Sequence, residues 1–137
     1  MPVKKILFVD DDLEHTFGFK QRLEMEGFEV KRAMNANQAW ETLIKEKFDG
    51  IIIDIMLPSN NLFSYEDTDQ DLKTGILLCQ KIRREYVEPI KIVGLTHHQS
   101  TKIKNEFMDA GGDDYVEKNT QGAAEKLSQT FTFLLCN

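Results

Sequence analysis

Residues 51–58 read Ile-Ile-Ile-Asp-Ile-Met-Leu-Pro, an apolar run with a single carboxylate, Asp54, inside it. A run of β-branched side chains has no polar face. It suits a strand covered on both sides, as in a parallel sheet. Parallel strands need crossover connections, usually helical, and that requirement removes most folds open to a chain of 137 residues. The run stops at Pro58, so Asp54 falls at the strand's carboxyl end. In open α/β sheets ligands bind outside that end.

The rest of the sequence supplies the crossovers. Residues 6–9 are expected as a buried first strand. Phe19 and Leu23 mark one face of a helix that stops at Gly27. Residues 28–33 follow as a second strand. Ala36, Ala39, Trp40, Leu43 and Ile44 have helical spacing, with Asn35 or Asn37 as the cap. Residues 50–55 form the third strand, 75–86 a helix, and 90–95 a fourth strand. Ile103, Phe107 and Ala110 mark a fourth helix closed by Gly111-Gly112. Tyr115-Val116 belongs to a short fifth strand, and Ala124, Leu127, Phe131, Leu134 and Leu135 to a last helix. Five βα units in strict alternation imply an α/β fold, a doubly wound parallel sheet with helices on both faces and right-handed crossovers. A single domain is expected over residues 1–137.

Residues 59–73 break the alternation. They are polar, carry Glu66, Asp67, Asp69 and Asp71, and exceed the usual length of a βα loop. A solvated insert is expected there, with a lid or a partner contact as the functional alternative. A calcium loop is not expected: Leu72 stands where glycine is required and Leu78 where the final glutamate would be.

Charge narrows the partners. The net charge of -6 argues against broad nucleic-acid binding and against adhesion to an anionic membrane. The first apolar stretch, residues 6–9, is too short for a secretory leader. Cys79 and Cys136 lack metal-ligand spacing and are expected to be reduced, in a cytoplasmic protein.

The first strand also ends in carboxylates, Asp10, Asp11 and Asp12. Strands one and three are neighbours at the switch point of a doubly wound sheet, so Asp10, Asp11 and Asp54 should converge. Like charges that close need compensation, which a hard cation such as Mg²⁺ supplies through oxygen ligands. Asp12 is equally suited to cap the first helix. Thr96 ends the fourth strand and Lys118 follows the fifth, a hydroxyl and an ammonium that suit a phosphoryl group.

These motifs resemble those of the CheY-like response-regulator receiver domains of two-component signalling. The matching residues are 9–12, 54–58, Leu95-Thr96 and 111–118, spread over nearly the whole chain in the family's order. The resemblance implies a flavodoxin-like (βα)5 fold with strand order 2-1-3-4-5. It implies that Asp54 accepts a phosphoryl group from a phosphohistidine on a sensor histidine kinase or histidine phosphotransfer protein. Asp10, Asp11, Asp54 and the Met56 backbone carbonyl would hold Mg²⁺, and Lys118 would pair with a phosphoryl oxygen. Thr96 and Tyr115 would act as the switch that changes the surface offered to a downstream protein target. Nucleic acid and membrane are not expected as direct partners. A homodimer through Phe131, Leu134 and Leu135 is an option beside core packing.

Three positions depart from the family pattern. Asn119 follows Lys118 where the family has a cis-proline, so either a trans bond with a rearranged loop or a strained cis bond is expected. His97 and His98 follow Thr96, where crowding and titration could tune the phosphoryl lifetime. The third departure is the length of residues 59–73. Two other readings compete: a binding module that no longer takes a phosphoryl group, and a haloacid-dehalogenase-type phosphatase built on Asp10-x-Asp12. The second leaves Asp54 unexplained and puts Lys118 after the acidic pair Asp113-Asp114 rather than before it.

Overall fold

A computed structural model describes residues 3–97 and 101–136. The elements alternate as β1 (Lys5–Val9), α1 (Leu13–Met25), β2 (Glu29–Ala33), α2 (Ala36–Lys45), β3 (Gly50–Asp54), α3 (Thr74–Glu85), β4 (Lys91–Thr96), α4 (Thr101–Asp109), β5 (Asp114–Glu117) and α5 (Ala123–Cys136). The strands form one parallel sheet in the order β2-β1-β3-β4-β5. This is the doubly wound, flavodoxin-like arrangement expected from the sequence.

The isoleucine run works as a central strand because both its faces are covered. All five residues of β3 are buried. Ile51 and Ile53 pack into the core beneath α2, α3 and Phe107, while Ile52 joins Phe8, Phe19, Leu127 and Phe131 on the opposite face. Burying each such side chain contributes about 1.5–3 kcal/mol. The edge strand β2 shows the opposite pattern, alternating exposed and covered positions until Ala33.

Local signals set the ends. Gly27 at φ +98 closes α1, with Phe28 N–H donating to Leu23 O and Gly27 N–H to Glu24 O. Asn35, not Asn37, caps α2: its side chain accepts from Gln38 N–H at 2.8 Å, and Gln38 Oε1 accepts in return from Met34 N–H. At the start of α3, Gly75 N–H donates to Ile55 O at 2.9 Å. A Cβ at Gly75 would lie 2.6 Å from Ile55 Cα and 2.8 Å from Asp54 O, so the helix approaches the end of β3 as closely as glycine allows.

Residues 59–73 are largely exposed, as expected of a solvated insert, but they are tied by internal bonds. Ser59 is buried and both donates to Phe63 O and accepts from Phe63 N–H. Thr68 is fully buried, donating to Tyr65 O and accepting from Asp71 N–H. Pro58 O and Ser59 O accept from Ala36 and Asn37 N–H, tying the segment to the first turn of α2. At its far end Lys73 pairs with Glu106 of α4 at 3.2 Å. Asn60, Asn61, Asp69, Gln70 and Asp71 all have positive φ, a conformation sustained here by these bonds.

Cys79 and Cys136 are both free, as expected. Burial pushes the Cys79 thiol up to about 12, so it is an inert core group. Phe131 is fully buried, and Leu134 and Leu135 pack against the same core; α5 leaves Phe133 exposed. Among the described residues, no helix is long and apolar enough to cross a membrane.

Candidate functional site

The carboxyl ends of β1, β3, β4 and β5 bring Asp10, Asp54, Thr96 and Lys118 to one edge. Asp10 is fully buried and Asp54 nearly so. Ligand atoms of Asp10, Asp11 and Asp54 lie within 4.8 Å of one another, with Asp11 exposed at the rim. Lys118 Nζ lies 2.6 Å from Asp10 Oδ2 and 3.1 Å from Asp54 Oδ2, and its side chain is only 5% exposed. The other oxygens face backbone: Asp12 N–H donates to Asp10 Oδ1 at 2.7 Å, and Met56 N–H to Asp54 Oδ1 at 3.2 Å.

The electrostatics follow from this packing. Burial, together with the Asp10 charge, lifts Asp54 to about 6 despite the pull of Lys118. Burial alone would lower Lys118, but Asp54 and Asp10 outweigh it and hold the ammonium above its usual range. One lysine thus serves two carboxylates, with a third beside them. Asp10 Oδ2 is buried, and although it is ion-paired with Lys118 it has no aligned hydrogen-bond donor. An all-oxygen set with such an atom fits a hard divalent cation such as Mg²⁺.

Asp12 takes the capping role. Its side chain accepts from His15 N–H at 3.1 Å and contacts the His15 ring. Those bonds hold its carboxyl below the usual carboxylate range.

Lys118 keeps its place without the family's cis-proline. No cis peptide bond occurs among the described residues, so the strained cis option is not adopted. Lys118 N–H donates to Thr96 O at 2.8 Å, and one residue further along Asn119 Nδ2 and His97 Nδ1 meet at 3.0 Å. Two of the departures thus contact each other. With Asp12, His15, Thr16, Phe19 and Lys118 they line a cleft of about 290 Å³ beside the acidic cluster. His98 lies outside the described residues. Tyr115 is half-buried on β5 with Lys104 Nζ 4.9 Å from its ring centroid, and Lys104 also pairs with Glu117.

Sequence reasoning missed Thr16 and Arg32. Thr16 is fully buried on α1 and donates to Asp12 O at 2.6 Å, while Arg32 Nη2 donates to Thr16 Oγ1 at 2.7 Å. The available signal was a hydroxyl four residues after the capping aspartate, a spacing that returns a threonine to that carbonyl.

Known proteins resemble this chain in sequence and fold. The chain is 35% identical over 114 residues to the uncharacterized transcriptional regulatory protein YrkP of Bacillus subtilis, covering 83% of this chain and 42% of YrkP. It is 33% identical over 116 residues to the transcriptional regulatory protein CpxR of Escherichia coli K12, covering 85% of this chain and 43% of CpxR. The chain therefore spans less than half the length of these relatives. Their names give no support to the expectation that nucleic acid is not a direct partner. Among solved structures, a CheY-like receiver domain protein from Methanospirillum hungatei superposes with a TM-score of 0.79 at 27% identity, covering 98% of this chain and 95% of that one. Residues 6–130 match the model of the response regulator receiver domain, and the chain belongs to that family of two-component signalling proteins.

Proposed function

We propose that Asp54 accepts a phosphoryl group from a phosphohistidine and that the modified domain then presents an altered surface to a downstream target. The observation that carries this reading is the buried Asp54 carboxylate, raised to about 6 and paired with Lys118 at 3.1 Å, at the end of the central strand. An Asp54 oxygen bonds to phosphorus as the phosphorus–nitrogen bond breaks, and the donor imidazole leaves with the electron pair. Lys118 meets a phosphoryl oxygen. Thr96, buried at the end of β4, donates its hydroxyl to another once the group is in place. Asp10, Asp11, Asp54 and the Met56 carbonyl would hold Mg²⁺, which neutralises charge on the transferring group when bound. Tyr115 responds to the movement of Thr96 and carries the change to the surface around α4, β5 and α5.

The donor is a sensor histidine kinase or a histidine phosphotransfer protein, met in the cytoplasm. Leu13 and Phe17 of α1 stand 47% and 56% exposed and give such a donor an apolar footing near the site. In a longer protein of the YrkP or CpxR kind the output would reach DNA through another part of the chain. Turnover of external phosphate esters has no support, because Asp12 is occupied as a cap and so is not placed as a general acid.

Intact mass after incubation with a small phosphodonor and Mg²⁺, with Asp54→Asn in parallel, tests the reading. One phosphoryl adduct on the wild type and none on the variant is expected. An equal adduct on the variant overturns Asp54 as the acceptor, and no adduct with any donor favours the binding-module alternative.

A further inference from the structure

Arg32 is a half-buried cation on the edge strand β2 with no part in the chemistry above. It pairs in register with Phe8 of β1, and its guanidinium lies 4.5 Å from the centroid of that ring. From there a path of hydrogen bonds runs into the acidic cluster. Arg32 Nη2 donates to Thr16 Oγ1 at 2.7 Å, Thr16 Oγ1 donates to Asp12 O at 2.6 Å, and Asp12 N–H donates to Asp10 Oδ1 at 2.7 Å. A threonine hydroxyl has one proton to give. Accepting from a guanidinium, which can only donate, leaves that proton directed at the Asp12 carbonyl. Asp12 is then held at its N–H and at its carbonyl, where the Thr16 hydroxyl adds to the Thr16 N–H that donates to the same oxygen at 3.2 Å. The turn it closes carries Asp10 and Asp11, two of the three carboxylates that converge at the sheet edge.

We infer that Arg32, acting through Thr16, is a positioning residue for the divalent-cation site of Asp10, Asp11 and Asp54. The inference rests on the Mg²⁺ reading above. Two effects of Arg32 oppose each other. Its positive charge disfavours a second cation nearby, while its hydrogen bond shapes the turn that presents the ligands. Geometry wins here. Mg²⁺ demands near-ideal octahedral placement of its oxygens, whereas the Arg32 guanidinium lies outside the ligand set, over the Phe8 ring.

Calorimetric Mg²⁺ titration of the 137-residue chain separates the two effects, because they differ in sign. Thr16→Val breaks the path and keeps the Arg32 charge; Arg32→Met removes both. Each should weaken Mg²⁺ binding by about five- to tenfold, near the lower limit for groups that orient metal ligands. Thr16→Ser restores the hydroxyl and should bind within about twofold of wild type, and the double variant Thr16→Val/Arg32→Met should bind no more weakly than either single one. Thr16 is buried, so Arg32→Met on the edge strand decides the matter if Thr16→Val does not fold. Tighter binding by Arg32→Met would make Arg32 only an opposing charge, and unchanged binding by both variants would make the path only structural; either overturns the inference. If wild type binds no Mg²⁺, or Asp10→Asn binds it as tightly as wild type, the metal assignment itself has failed.

Discussion

The ammonium of Lys118 lies 2.6 Å from the carboxylate of Asp10, and neither side chain is more than 5% exposed. This pair offsets part of the cluster's charge from the protein side. Lys118→Met leaves Asp10 buried and uncompensated, and should cost about 3 kcal/mol, in the range for breaking a buried pair. Denaturant melts check this. Mg²⁺ should recover part of the loss, because it supplies the missing charge to Asp10.

Asp54→Asn should act in the opposite direction in protein free of divalent cations. Burial raises Asp54 from an ordinary 3.8 to about 6, so the folded state resists ionising it. The resulting penalty is absent below about pH 4 and grows to its full size as pH rises through about 6. Asparagine carries no such penalty. Wild type and variant should therefore melt alike at low pH, with Asp54→Asn more stable by about 3 kcal/mol at pH 7. A variant equal to or weaker than wild type at neutral pH would contradict the raised Asp54.

His97 and Asn119 meet across the mouth of the site, so their effect should fall on the lifetime of the phosphoryl group rather than on the fold. An exposed hydrogen bond contributes about 0.5–1 kcal/mol, so His97→Ala should melt close to wild type. Hydrolysis of phosphorylated Asp54 should quicken in that variant. The wild-type decay rate should also vary between about pH 6 and 8, where histidine titrates, and the variant should show a weaker dependence. Phosphate release followed over that range reads both effects.

The ordered insert makes a separate prediction. Ser59 makes two bonds to Phe63, and Thr68 is fully buried with both a donor and an acceptor contact. Thr68→Val leaves Asp71 N–H without its partner and should cost about 1–3 kcal/mol. Wild type should resist chymotrypsin at the exposed residues Tyr65 and Leu72, while Ser59→Ala and Thr68→Val should be cut there. Rapid cleavage of wild type would mean that the segment opens easily.

What could be read from the sequence was whatever periodicity encodes. The isoleucine run, the helical spacing of Ala36, Ala39 and Leu43, and the carboxylates at two strand ends all follow from side-chain pattern, and they pointed to the alternating parallel fold and the acidic cluster, while the full strand order came from the family resemblance. Asp12 could not be decided that way, because a cap and a ligand call for the same residue; only the bond to His15 N–H separates them. The insert's internal bonds went unread because they rest on backbone groups bonded to Ser59 and Thr68, which leave no apolar rhythm. Arg32 stands on an alternating edge strand whose pattern marks no site. Its bond to Thr16 spans two elements that no local pattern connects.

Gly75 fixes where the insert must land. Any side chain there would strike the backbone of Asp54 and Ile55. Its N–H is bonded to Ile55 O, so the chain rejoins the fold at one defined spot however long the excursion before it. Everything between Ser59 and Lys73 can therefore vary in length and character without moving the acceptor carboxylate. If a partner contacts this segment, its preference would be set apart from the chemistry beneath it.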